Sequence, residues 1–132
     1  MAGDALIPAA TTMLGWCILA ALPAAELERV LAMQSRQRDF REAAPPADLR
    51  DQLAVIRELG YALSPSKISS GLTVLAAPVR DQDGYPVAGI SVAAPSIRMT
   101  PEELRARALE PLLTAARLVA RGLEASGGAA MG

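Results

Sequence analysis

Few residues in this 132-residue chain can do covalent chemistry. It has no histidine and a single cysteine, Cys17. That removes disulfide frameworks, Cys/His zinc sites and every Ser-His or Cys-His nucleophile pair, and it takes away the commonest general base. Hydroxyls and carboxylates remain. The carboxylates stand at helix starts and in a turn, where structure already accounts for them. Asp81 and Asp83 are two acids of a hairpin turn, read as turn formers rather than metal ligands. Arg36, Arg38 and Arg41 alternate with Asp39 and Glu42, the pattern of a solvated loop and not of a phosphate patch. No glycine-rich turn opens a helix, so no phosphate loop is read. No enzyme, metal or cofactor is expected. The chemistry left is recognition, centred on one strand hydroxyl, Ser91.

Ser91 belongs to the stretch Ser70–Pro95, SGLTVLAAPVRDQDGYPVAGISVAAP, which reads as two strands, Leu72–Val79 and Val87–Ala93, joined at Asp81-Gln82-Asp83-Gly84. Strand side chains alternate, so Leu72, Val74 and Ala76 share a face. A two- or four-residue loop puts Ser91 and Ala93 on that same face; a three-residue loop reverses the parity. The first case makes an apolar sheet face with one hydroxyl, a floor for a small ligand.

The elements that must hold this hairpin follow from composition and punctuation. The chain is one domain with 52% hydrophobic but only 3% aromatic residues, so its core is built of Ala, Leu, Val and Ile. A net charge of −1 gives no electrostatic reason to expect nucleic acid or an anionic membrane as partner. Ala5 to Ala25 carries no charge and could span a bilayer by length. Pro8, Thr11, Thr12, Gly15 and Pro23 punctuate it, and Asp4 is the wrong charge for a signal peptide, so a buried helical hairpin in a cytoplasmic protein is expected. One helix starts at Thr11 or Thr12 and ends by Leu22. A second covers Ala24–Gln34, Ser35 to Pro46 is a loop, and a third covers Ala47–Leu59 with Gly60 as a left-handed stop. Tyr61–Leu63 is a short strand and Ser64-Pro65 a turn. Thr100, Pro101 and Glu103 form a capping box for a last helix running to Leu123. Pro111 should kink or break it near Leu109, with Leu104, Ala108, Leu112, Ala116, Val119 and Leu123 facing the sheet. Residues 125–132 form a flexible tail. The fold class is α+β, helices packed on an antiparallel sheet.

In this order, four blocks resemble the effector-binding domain of IclR-type bacterial transcription regulators. They are Ile7-Pro8 through Thr11-Thr12-Met13-Leu14-Gly15 to Leu19-Ala20-Ala21-Leu22-Pro23; Leu53 through Arg57-Glu58-Leu59-Gly60-Tyr61-Ala62; Gly71-Leu72 through Pro78-Val79, Asp81, Asp83-Gly84 and Ser91-Val92; and Ser96, Arg98, Thr100 with the closing helix. The resemblance spans about Leu6 to Leu123, within a domain set at residues 1–124. It implies a GAF-like sensor, incomplete at its start, that binds a small metabolite, typically a carboxylic acid. It also implies a homo-oligomer, dimer or tetramer, that reaches DNA only through a winged helix-turn-helix domain not found in this sequence. Carried over by position, the ligand-binding residues are Ile7, Met13, Leu14, Ser64, Leu72, Val74, Ser91 and Ala93. Relatives have small residues where Met13 and Leu14 stand, an acid where Ser64 stands, and a second hydroxyl where Ala93 stands. The pocket here is therefore expected to be more apolar. The competing expectation is an oligomerisation or structural module that has lost its ligand.

Overall fold

The sequence places helix signals on both sides of a central hairpin, and a computed structural model of the chain, describing residues 12–37, 47–66 and 70–128, assembles them in that order. Helix α1 (Met13–Ala21) starts where Thr12 stays extended and its hydroxyl accepts the Gly15 N–H at 2.9 Å. It ends at Leu22, before Pro23. Helix α2 (Ala24–Gln37) reaches past the expected Gln34 and takes Ser35, Arg36 and Gln37 out of the predicted loop; residues 38–46 of that loop lie outside the described residues. Helix α3 (Leu49–Leu59) stops at Gly60, whose φ of 85° is the left-handed conformation read from the sequence.

Strands β1 (Ala62–Pro65), β2 (Leu72–Arg80) and β3 (Pro86–Pro95) make one antiparallel sheet in the order β1-β2-β3. Ser64 and Pro65 are strand residues and not a turn, paired with Val74 and Thr73. Proline is tolerated there because it closes a short edge strand. The β2–β3 loop is also longer than either expected length. Five residues, 81–85, lie between the strands, and a register irregularity at Val79/Arg80 absorbs the odd count. Asp81 shapes the loop: one carboxylate oxygen accepts the N–H groups of Asp83 and Tyr85, each at 2.9 Å, and Gly84 takes φ 84°. Because of the bulge, Val74 still faces Ala93 and Ala76 faces Ser91. The expected parity holds by a different route.

Helix α4 (Pro101–Gly122) opens with the full Thr100–Glu103 capping box and runs unbroken through Pro111. The expected break is absent because Pro111 lies on the exposed side of the helix, where its ring and the carbonyl it leaves unbonded can face solvent. Leu104, Leu112 and Ala116 are buried as expected, Ala108 is half-buried, and Val119 and Leu123 are exposed. Residues Leu123–Gly128 continue as a π-helical segment, so Ala125–Gly128 of the expected tail belong to an element; residues 129–132 lie outside the described ones.

Helices sandwich the sheet. On one face Leu75 and Ala77 pack with Leu104 and Leu112 of α4. On the other, Ala62 and Ala76 pack with Met13, Trp16 and Cys17 of α1 and Leu53 and Ile56 of α3. Arg57 ties the latter two helices together, donating to the Leu22 carbonyl at 3.0 Å, at the end of α1. Among the described residues no helix is long and apolar enough to cross a membrane.

Candidate functional site

Antiparallel register brings most of the expected ligand-binding residues together. Ser64, Val74 and Ala93 form one row across the three strands, and Ala62, Ala76 and Ser91 form the next. Leu72 follows Val74 on the same face by strand alternation. This is the face that α1 and α3 cover in part. Leu14 and Ile18 sit over Gly89, where an added Cβ would meet Leu14 Cδ1 at 2.7 Å. Cys17 is held over β2, its thiol donating to the Ala76 carbonyl at 3.2 Å.

Cover thins along the strands from there. Ala76 is 0% exposed, Val74, Leu72 and Ser64 are half-buried, and Ser91 and Ala93 are exposed. Met13 is buried at the start of α1 and Leu14 is half-buried beside it. Ile7 lies outside the described residues. Seven of the eight expected positions therefore have known places. Five of them line one stretch of sheet face, and Met13 and Leu14 open the helix that bounds it.

Two cavities adjoin this architecture. One, of about 220 Å³, opens between α1, α3 and β1 and includes Met13 and Ser64 together with Trp16, Gln52, Leu59 and Tyr61. Sequence reasoning missed Gln52 and Tyr61. Gln52 stands four residues before Ile56 of the buried stripe, and Tyr61 directly follows the Gly60 stop, so both were positioned by signals already read. The larger cavity, about 400 Å³, holds none of the expected residues: Pro78, Arg80, Ala116, Arg117 and Arg121 line it, on the α4 side.

Electrostatics favour a binding surface over a reactive one. Burial pushes the Cys17 thiol up to about 12, so it stays protonated and cannot act as a nucleophile at neutral pH. No group of three or more potential metal-ligating side chains occurs among the described residues. At the start of α1 the Thr12 hydroxyl takes the Gly15 N–H and the Thr12 carbonyl takes that of Trp16, and no acid stands in the first turn. The arrangement can hold a small molecule with an apolar body and a few hydrogen-bonding atoms.

The chain is similar to known proteins over most of its length. The family model described as bacterial transcriptional regulator IclR C-terminal matches residues 4–121. The HTH-type transcriptional regulator BhcR of Paracoccus denitrificans is 38% identical over 78 residues, 59% of this chain and 28% of that protein. A transcriptional regulator from Rhodococcus superposes with a TM-score of 0.74 at 26% identity, over 90% of this chain and 49% of that one. The C-terminal domain of the Escherichia coli regulator KdgR gives 0.71 at 29% identity, over 86% of this chain and 70% of that one. The chain thus spans less than half the length of the curated relatives it matches.

Proposed function

The chain belongs to the IclR family of bacterial transcriptional regulators, within its C-terminal domain, and from that premise we propose that it senses a small carboxylic acid on the open part of the α1/α3 face of its sheet. The observation that carries the reading is the register. It gathers Ser64, Val74, Ala93 and Ser91 on one face at the place where α1 stops covering it. Ser91 is the polar anchor, the amides of the first turn of α1 favour the carboxylate, and Leu14, Leu72 and Val74 select the apolar tail. Met13 and Leu14 in place of smaller residues shift preference toward acids with a larger apolar part. In a regulator of this kind, DNA is contacted by a separate helix-turn-helix domain, to which this chain reports occupancy.

A thermal-melting screen of the chain against metabolite carboxylic acids tests the reading. A matching acid at one hundred times its Kd raises stability by about 2.7 kcal/mol. Ser91→Ala should leave the ligand-free stability within about 1 kcal/mol and shrink the ligand-induced shift. If no acid moves the melting temperature, or if Ser91→Ala leaves the shift intact, the site is wrong.

A further inference from the structure

The larger cavity lies apart from the floor of Val74 and Ser91. β1 pairs with β2 only from Thr73 to Ala76. Past that stretch, Pro78 and Arg80 of β2 and the later turns of α4 border a space of about 400 Å³. Three arginines line it, Arg80, Arg117 and Arg121. Arg117 and Arg121 stand one turn apart on α4, the spacing at which like charges destabilise a helix, and Arg80 adds a third charge from another element. Two other arginines of the chain are visibly employed: Arg50 pairs with the Glu28 carboxylate, and Arg57 donates to the Leu22 carbonyl. Among the described residues no acid lies within ion-pair distance of the three in the cavity. Arg117 donates to the Thr114 hydroxyl at 3.2 Å, a neutral partner. Two carboxylates also line the space, Asp81 and Glu124, so the arginines outnumber them. Asp81 is already occupied, accepting the N–H groups of Asp83 and Tyr85 inside its own loop.

We propose that this cavity is a second binding site, for the phosphate monoester of a small hydroxylated molecule. A guanidinium is planar and always charged, and its paired N–H groups match two oxygens of a phosphate. A phosphate monoester carries about two negative charges near neutral pH. One such group therefore answers several arginines at once and relieves their mutual repulsion, where a monocarboxylate answers one. The remaining walls suit the rest of the ligand. Gln82 and Glu124 accept hydrogen bonds from hydroxyls, and Pro78, Leu113 and Ala116 give a carbon frame an apolar wall. Glu124 also counts against a bare inorganic ion, because its carboxylate favours only a ligand that brings donors of its own. The site asks nothing of Ser91, and it does not rest on the carboxylic acid reading above.

Amide NMR of the 132-residue chain, titrated at constant ionic strength with glycerol 3-phosphate, inorganic phosphate, glycerol and succinate, tests the site. Glycerol 3-phosphate should move the amides of Arg80, Asp81 and Gln82 and of residues 113–124 saturably. It should bind about threefold or more tighter than inorganic phosphate, the worth of a hydrogen bond to Gln82 or Glu124. Glycerol should cause no saturable shift, and succinate, whose two charges sit on separate groups, should bind more weakly than either phosphate. Arg80→Gln, Arg117→Gln and Arg121→Gln should each weaken glycerol 3-phosphate by about tenfold, the worth of a charge-assisted hydrogen bond. Ser91→Ala should leave its affinity unchanged. The three arginines are exposed, so these variants should keep the fold. The proposal is overturned by the absence of saturable shifts with glycerol 3-phosphate, by shifts centred on the Ser91 face, or by equal affinity for inorganic phosphate or succinate. Affinity indifferent to all three arginines, or lost in Ser91→Ala, overturns it too. If a variant fails to fold, the location of the wild-type shifts and the ranking of the four probes still decide.

Discussion

The two faces of the sheet use the same kinds of residue for opposite ends. Under α4 the face is closed: Leu75, Ala77 and Val79 are at most 1% exposed, and the buried Thr73 hydroxyl is paired with Ser96 at 3.0 Å. Under α1 and α3 it is closed at Ala62 and Ala76 and open from Val74 and Ser91 onward. Helix length accounts for the contrast. Both helices touch all three strands, but the 22 residues of α4 extend about 33 Å and the nine of α1 only about 14 Å, so α1 covers a shorter stretch of the sheet. A face sealed along its central strand serves stability. A face sealed over half its length leaves a floor on which something else can bind.

The sharpest way to break this contrast is to truncate equivalent apolar residues on the two sides. Leu75→Ala should cost about 2–5 kcal/mol, and Val74→Ala, half-buried on the other face, about 1 kcal/mol. Urea denaturation of the two variants measures both, and equal losses would show that the faces are equally closed. A smaller effect is expected where the open face is still covered. Gly89→Ala puts a methyl within 2.9 Å of Leu14 Cγ and 2.7 Å of its Cδ1, so α1 must move. The expected cost is about 1–3 kcal/mol; if the melting temperature is unchanged, α1 does not rest on the sheet there.

The smallest effect belongs to the closed face. Thr100→Ala removes the hydroxyl that starts α4 and should cost about 1 kcal/mol. It should also carry a pH signature. Hydrogen bonds from the Thr100 backbone and side chain hold the Glu103 carboxyl below the ordinary carboxylate range. A carboxyl whose folded pKa is depressed stabilises fully above its unfolded value and loses that contribution as pH falls through the folded one. The stability gap between wild type and Thr100→Ala should therefore be widest near neutrality and narrow on acidification. A gap that is constant with pH would remove the box from the account.

Much of this was legible before any coordinates, for local reasons. Thr12, Gly60, Gly84 and the Thr100–Glu103 pair each act through their own backbone or a neighbour within three residues. Their effects do not wait on the rest of the chain. The places where reading failed are those in which a distant element decides. Ser64-Pro65 has turn composition, yet β2 supplies a ladder partner and makes it strand. Pro111 has the composition of a break, yet burial of Leu104, Leu112 and Ala116 on one side of α4 holds the helix continuous. The loop between β2 and β3 was misjudged in length and the parity survived, because a bulge restores register wherever a buried face demands it.

For the candidate site the division is the same. Amino-acid order put Leu72 and Val74 on one face by strand alternation and left Ser91 and Ala93 to a parity that the connection between the strands would decide. It also determined that no histidine would stand there. Only the tertiary structure decided where along that face the cover stops, because that depends on where a nine-residue helix lies across three strands. It decided too that Gln52 and Tyr61 line the cavity beside Ser64. Alternation is a property of one strand; exposure is a property of everything packed around it.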